Sequence, residues 1–163
     1  MVEVSNQAPI EVILKIASSV ECVSPLGEAI QALSLSATGN PACALAVQQA
    51  VIEAVNNVVL HAYKNQAVND IIVKWRQEYG RLQIDIIDYG LAMTALPPPD
   101  LPDFEAEGGR GWWIIDACVD EYYYKAVKYV ELEAMVRPNT ATLNSENLVT
   151  ELNTNILTLI KNY

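Results

Sequence analysis

The chain has 163 residues, 10 Lys+Arg against 20 Asp+Glu for a formal charge of −10, and 52% hydrophobic residues. That length fits one domain, and the apolar content gives a packed core rather than disorder. The negative balance repels nucleic-acid phosphates and anionic lipid, so neither nucleic acid nor membrane is an expected partner.

No apolar run approaches the roughly 20 residues that span a bilayer, and the opening Met-Val-Glu-Val-Ser-Asn-Gln lacks the pattern of a secretory signal. Cys22, Cys43 and Cys118 are widely spaced among apolar residues and read as reduced thiols of a cytoplasmic protein. The single histidine, His61, argues against a His-based metal site or a Ser-His-Asp triad. Residues 10–17 (IEVILKIA) form a β-branched apolar run, the predicted first strand. A helix follows over residues 24–35, or from 23, with Pro25 in its first turn. After the break at residues 36–40, Asn40 caps a second helix that starts on Pro41 and runs without Gly or Pro to about Tyr63. Residues 70–77 and 82–88 are strands joined by a hairpin turn at 78–81. Regular structure fails from 89 to 109, where four of the eight prolines lie with Asp100, Asp103, Glu105 and Glu107. Residues 112–119 are a predicted apolar helix, and 121–124 with 128–136 a closing hairpin. A polar linker at 138–144 precedes an amphipathic tail at 145–163, whose Leu148, Leu152, Ile156, Leu159, Ile160 and Tyr163 follow helical spacing. The expected fold is α+β: a two-layer sandwich with a mixed, mostly antiparallel sheet and helices on one face. The expected division is residues 1–137 as the domain and 138–163 as linker plus C-terminal helix.

Three features carry chemistry. On the long helix Gln49, Glu53, Asn57 and His61 recur every four residues among apolar neighbours, forming one polar stripe. Such a stripe is either a thin solvated face of a core helix or the wall of a ligand cavity, with Glu53 as a base and Asn57 as an oxygen ligand for a hard cation. At the end of the second hairpin strand, Asp88 shares the parity of Leu82, Ile84 and Ile86 and so points inward. Asp88-Tyr89-Gly90 reads as an Asx turn, or as a carboxylate awaiting a donor, with Gly90 allowing close approach to a flat ring. Four of the seven glycines lie between Gly90 and Gly111. Gly108-Gly109-Arg110-Gly111 before an apolar helix is a flexible hinge or a phosphate site, where N–H groups at the helix start and a guanidinium face an anion. Neither a Walker A nor a GxGxxG pattern is present.

The order of these features resembles the Bergerat-fold, histidine-kinase-like ATPases. Glu53-Ala-Val-Asn-Asn57-Val-Val-Leu-His61-Ala-Tyr63 is similar to the anti-sigma-factor serine/threonine kinases of bacterial partner-switching systems. The resemblance implies ATP and Mg²⁺ as cofactors. It implies Glu53 as the general base toward a partner serine and Asn57 as the Mg²⁺ ligand. It further implies Asp88 as acceptor for the adenine amino group with Gly90 lining the ring, and residues 91–108 as the ATP lid. Gly109, Arg110 and Gly111 would contact phosphates, with His61 and Tyr63 on the phosphate side. The implied partners are an anti-sigma-factor antagonist protein, the phosphoacceptor, and a sigma factor, in transcription regulation; a homodimer is left open. Two positions depart from the family's pattern. Ala92 stands where a second glycine is usual, and residues 126–129, at the comparable place in the closing hairpin, contain no Gly-Thr. With the acidic, Pro-rich lid they motivate an alternative, a non-catalytic anti-sigma interaction module. A detached ATPase domain of a two-component histidine kinase fits less well, because no dimerisation and phosphoacceptor segment is present.

Overall fold

The computed structural model describes residues 9–100, 109–131 and 150–163. The strands are β1 (Ile10–Ala17), β2 (Asp70–Glu78), β3 (Arg81–Asp88), β4 (Glu121–Glu131) and β5 (Thr150–Asn162), and the helices are α1 (Val23–Thr38), α2 (Pro41–Asn57) and α3 (Gly111–Cys118). Their order along the chain follows the expectation as far as β4.

Local chemistry sets the helix ends. Gly39 closes α1 in the left-handed conformation (φ 63°). The Asn40 side chain accepts from the N–H groups of Ala42 (3.0 Å) and Cys43 (3.2 Å), satisfying two donors that α2 cannot. α2 then passes into a π-helical turn, Val58–Ala62, where the sequence predicts a plain helix to Tyr63. Helix and turn together, Pro41–Ala62, are 22 residues of mean hydropathy 1.4, so this segment does reach membrane-spanning length and apolarity. It is the core helix instead: half of it is buried, and Val47, Val51 and Val55 are fully enclosed.

The five strands lie in the order β1-β2-β3-β5-β4. Every neighbouring pair is antiparallel, so the sheet is not mixed. Alternation places Ile71, Val73 and Trp75 of β2, Leu82, Ile84 and Ile86 of β3, and Leu157 and Leu159 of β5 on the buried face beneath the helices. The opposite face carries a polar row in which Arg76 pairs with Glu11 (2.7 Å) and Asp85 (2.9 Å), and Thr158 donates to Asp85 (2.8 Å).

Two expectations are corrected. The tail is not an amphipathic helix appended to the domain. Residues 150–162 are β5, inserted between β3 and β4 with Asp88 opposite Asn155 and Tyr124 opposite Leu157. The spacing of Ile156, Leu159 and Ile160 fits a helix on paper, but three Thr and two Ile among the thirteen residues and an open slot between two strand edges favour strand. The predicted closing hairpin is likewise absent: β4 runs unbroken through residues 125–127 and takes β5 as its partner. The 101–108 part of the predicted lid, the end of the predicted last strand and the linker, within 132–149, lie outside the described residues.

Candidate functional site

Glu53 and Asn57 lie one turn apart on the last two turns of α2, so both point to the same side. The π turn then widens the helix: the Tyr63 N–H donates to the Val58 carbonyl (3.0 Å). That turn leaves the Ala62 carbonyl free to accept from the Leu91 N–H (3.0 Å), which ties the end of the helix to the loop after β3. Here glycine is obligatory. A Cβ on Gly90 would lie 2.5 Å from the Ala62 carbonyl oxygen.

A cavity of about 1030 Å³ opens between α2, the end of β3, the loop after it and the start of α3. This lies at the upper end of the range for small-molecule sites. Glu53, Asn57 and His61 line it from α2 and the turn after it, Asp88 from the end of β3, and Gly109, Arg110 and Gly111 from the start of α3. Gly111 comes so close to the helix that a Cβ there would sit 3.0 Å from Glu53 Oε2 and 3.6 Å from the Asn57 amide. The start of α3 therefore rests against the two polar side chains. The first N–H groups of α3 have no side-chain cap, which leaves the positive end of the helix dipole at the cavity.

Asp88 is buried. Burial pushes its carboxyl above the usual carboxylate range, opposed by hydrogen bonds from the Asn155 amide and the Gly90 N–H. Both bonds (2.7 and 2.9 Å) fall on Oδ1, so Oδ2 is open to a donor in the cavity. The Asn57 Nδ2 is buried and has no hydrogen-bond partner among the described residues. Orphaned buried donors are rare, and one at a cavity wall is within reach of whatever acceptor fills the cavity. The Tyr124 hydroxyl, also on the cavity wall, accepts from the Met93 N–H (2.9 Å), anchoring the loop after β3 to β4.

The profile of the histidine kinase-like ATPase domain matches residues 16–136, about three quarters of the chain. The chain belongs to that family. Among curated proteins none matches it. The histidine kinase-like fold expected from the sequence is thus the one observed, and membership of this family suggests that the chain binds ATP. The match ends before β5 begins.

Of the residues singled out from sequence, Glu53, Asn57, His61, Asp88, Gly109, Arg110 and Gly111 are brought together around the cavity. Gln49, the first member of the stripe, instead accepts from the Cys118 thiol of α3 (3.7 Å). Gly90 contributes behind the cavity, through its contact with Ala62. Tyr63 is corrected: it is buried in the core, where its hydroxyl donates to the Asp70 carbonyl (2.8 Å) and accepts from the Tyr89 N–H (2.8 Å). It braces the two ends of the β2–β3 hairpin rather than facing a ligand. Tyr63→Phe is expected to cost about 1–3 kcal/mol of unfolding free energy, since two backbone groups lose their partner, and to change nucleotide affinity less than twofold. Chemical denaturation and a binding titration on the same variant check both.

Sequence reasoning missed Asn155, Tyr124 and Leu157. Asn155 became visible only once the tail was known to be a strand, because strand parity then sets it opposite Asp88. Tyr124 could have been found from the alternation of Tyr122 and Tyr124 on one face of β4.

Proposed function

We propose that this protein is an ATP-dependent serine/threonine protein kinase of the anti-sigma regulatory type, acting on a small antagonist protein in a partner-switching system. The observation that carries the reading is that the Glu53 carboxylate and the Asn57 side chain, whose Nδ2 has no partner among the described residues, stand together against the start of α3. Phosphoryl transfer asks mainly for positioning and charge stabilisation, and these groups supply both.

The donor set fits ATP with Mg²⁺. Among the described residues no group of three or more His, Cys, Asp or Glu could cage a metal. Mg²⁺ commonly takes only one or two protein oxygens, with water and substrate phosphates as its other ligands. The Asn57 side-chain oxygen would take that part, leaving Nδ2 to donate to a phosphate oxygen. ATP would supply the transferable phosphoryl group, and Mg²⁺ held with it would offset the phosphate charge. Asp88 Oδ2 would accept a hydrogen bond from the exocyclic amino group of the base. The α3 N–H groups and Arg110 would hold the phosphates. Glu53 takes the proton from the attacking serine hydroxyl of the partner. The free thiols of Cys22, Cys43 and Cys118 suit a reducing, cytoplasmic setting.

The test is a titration with ATP and Mg²⁺ followed by transfer of the γ-phosphate to a candidate antagonist. A second reading, an interaction module of the same fold without turnover, is favoured by one feature: residues 91–109 contain no Lys or Arg. Absence of thermal stabilisation at millimolar ATP would decide for it, because a ligand of the native state must raise stability.

Asp88 gives the site a pH dependence. Its carboxyl is raised in the folded protein, so its ionisation opposes folding above that raised value, and the penalty is relieved as pH falls through it. For nucleotide the sign is opposite. Protonation removes an acceptor, so affinity for ATP is expected to fall by up to about tenfold per pH unit below the raised value. Calorimetric titrations from pH 8 to 5 check this, with the slope lost in Asp88→Asn and retained in His61→Gln.

A further inference from the structure

Past Asp88 the chain is tied down at three successive points. The Gly90 carbonyl accepts from the Asn155 amide (3.1 Å), the Leu91 N–H donates to the Ala62 carbonyl (3.0 Å), and the Met93 N–H donates to the Tyr124 hydroxyl (2.9 Å). Of these, only the third ends on a side chain that lines the cavity. Met93 and Leu96 pack beside the core, and the loop goes on to Pro97 and Pro98, which form part of the cavity lining. Tyr124 stands opposite Leu157 of β5, a second lining residue, and so shares its face of the sheet. A phenol can accept and donate at once, but this one is used on one side only. Its oxygen accepts from Met93, and among the described residues no acceptor meets its own hydrogen. Burial pushes the Tyr124 phenol above its ordinary value; the Met93 bond opposes this and the Asp88 charge adds to it. The hydroxyl therefore keeps its hydrogen at neutral pH, in the same cavity that Asp88 lines.

We propose that Tyr124 is a second base-reading residue of this site: its O–H donates to a ring nitrogen beside the amino group that Asp88 accepts, while its oxygen holds the Met93 N–H. This inference deepens the kinase reading and rests on it. The pattern of donors and acceptors supports it. The edge of an aminopurine presents an N–H donor flanked by two ring nitrogens that accept, N1 on one side and N7 on the other. A carboxylate satisfies the amino group but offers nothing to a ring nitrogen. An acceptor buried without a donor is costly. Asp88 Oδ2 and the Tyr124 hydroxyl together supply one acceptor and one donor, and so read both kinds of group. Leu157, Met93 and Ile114 add apolar surface to the same cavity, suited to the faces of a flat ring. The hydroxyl also joins the base to the loop. A hydroxyl that donates becomes a better acceptor, because hydrogen bonds in a chain polarise one another. A bound base therefore tightens the Met93 tie, and with it the stretch that leads to Pro97 and Pro98. By reciprocity, a firm tie strengthens the hold on the base.

The experiment is calorimetric titration of the full chain and of Tyr124→Phe, with Mg²⁺ present, against ATP and its 1-deaza and 7-deaza analogues, in which carbon replaces one ring nitrogen at a time. In the parent, one of the two analogues is expected to bind about threefold to tenfold more weakly than ATP, the range set by one hydrogen bond. Tyr124→Phe is expected to lose the same factor for ATP and to bind ATP and that analogue alike, because the donor and the ring nitrogen act only as a pair. Exchange of the Met93 amide is the second readout. In the parent ATP is expected to slow it, and in Tyr124→Phe it is expected to be fast with or without ATP. A hydroxyl with a merely structural role would lower the affinity for all three nucleotides by one common factor, and that result would overturn the proposal. So would a Tyr124→Phe chain that binds all three as the parent does. A parent that binds none of the three nucleotides defeats the kinase reading itself, whereas a parent that binds ATP beside an indifferent Tyr124→Phe defeats this inference alone.

Discussion

Replacing Glu53 by alanine is expected to lower γ-phosphate transfer to the antagonist by about 10²–10⁴-fold, the usual contribution of a positioned general base, while ATP affinity stays within about twofold or tightens. The two readouts separate because of where Glu53 stands. Its carboxylate lies beside the start of α3, against Gly111, where a negative charge aids proton removal but repels a triphosphate. Removing it therefore costs nothing in the ground state. Glu53→Gln should behave alike, since the amide keeps the shape and loses the basicity. Gly111→Ala tests the same geometry from the other side: a Cβ 3.0 Å from Glu53 Oε2 displaces the carboxylate, and a partial loss of transfer is expected without loss of fold. Single-turnover transfer with a radiolabelled γ-phosphate, set beside calorimetric binding, measures both quantities. Transfer at the parent rate in Glu53→Ala would remove Glu53 as the base. Undetectable ATP binding by the parent chain would remove the kinase reading altogether.

The features that were legible from sequence are those written in local chemistry. Asn40-Pro41 fixes the start of α2 because a side-chain oxygen and a ring-locked φ act within three residues. The four-residue spacing of Glu53, Asn57 and His61 survives as a cavity wall because helical geometry carries it. The parity of Asp88 with Ile84 and Ile86 fixes its inward direction. What was not legible depends on partners distant in the chain. Tyr63 follows the same helix, but the π turn and two backbone groups, at Asp70 and Tyr89, draw its hydroxyl into the core. Residues 150–162 satisfy helical and strand spacing alike, and only the slot between β3 and β4 decides. Asn155 was invisible for that reason, although it holds Asp88.

A chain ending at residue 137 would keep every position of the family match yet is expected not to fold cooperatively. β5 is an interior strand, paired on both sides. Without it β4 has no partner strand and β3 exposes its edge. Leu157, Leu159 and Ile160 are all buried, and their burial is worth roughly 1.5–3 kcal/mol each. That sum is a large share of the 5–15 kcal/mol by which domains are stable. The strand is also clamped at its end: Asp120 accepts from the Asn162 N–H (2.6 Å) and pairs with Lys161 (3.1 Å). The first of these bonds, with the Lys161 charge, holds the Asp120 carboxyl below its usual value. The clamp therefore contributes stability above the ordinary carboxylate range and loses it as pH falls through the lowered value. Leu159→Ala is the milder test, with an expected loss of about 2–5 kcal/mol, read by urea denaturation at neutral pH. A synthetic peptide of residues 150–163 added to the truncated chain is expected to restore a cooperative melt, because the missing strand supplies its own ladder and apolar face. A truncated chain that melts cooperatively alone, within a few degrees of the parent, would show that the first four strands suffice and that the tail is dispensable.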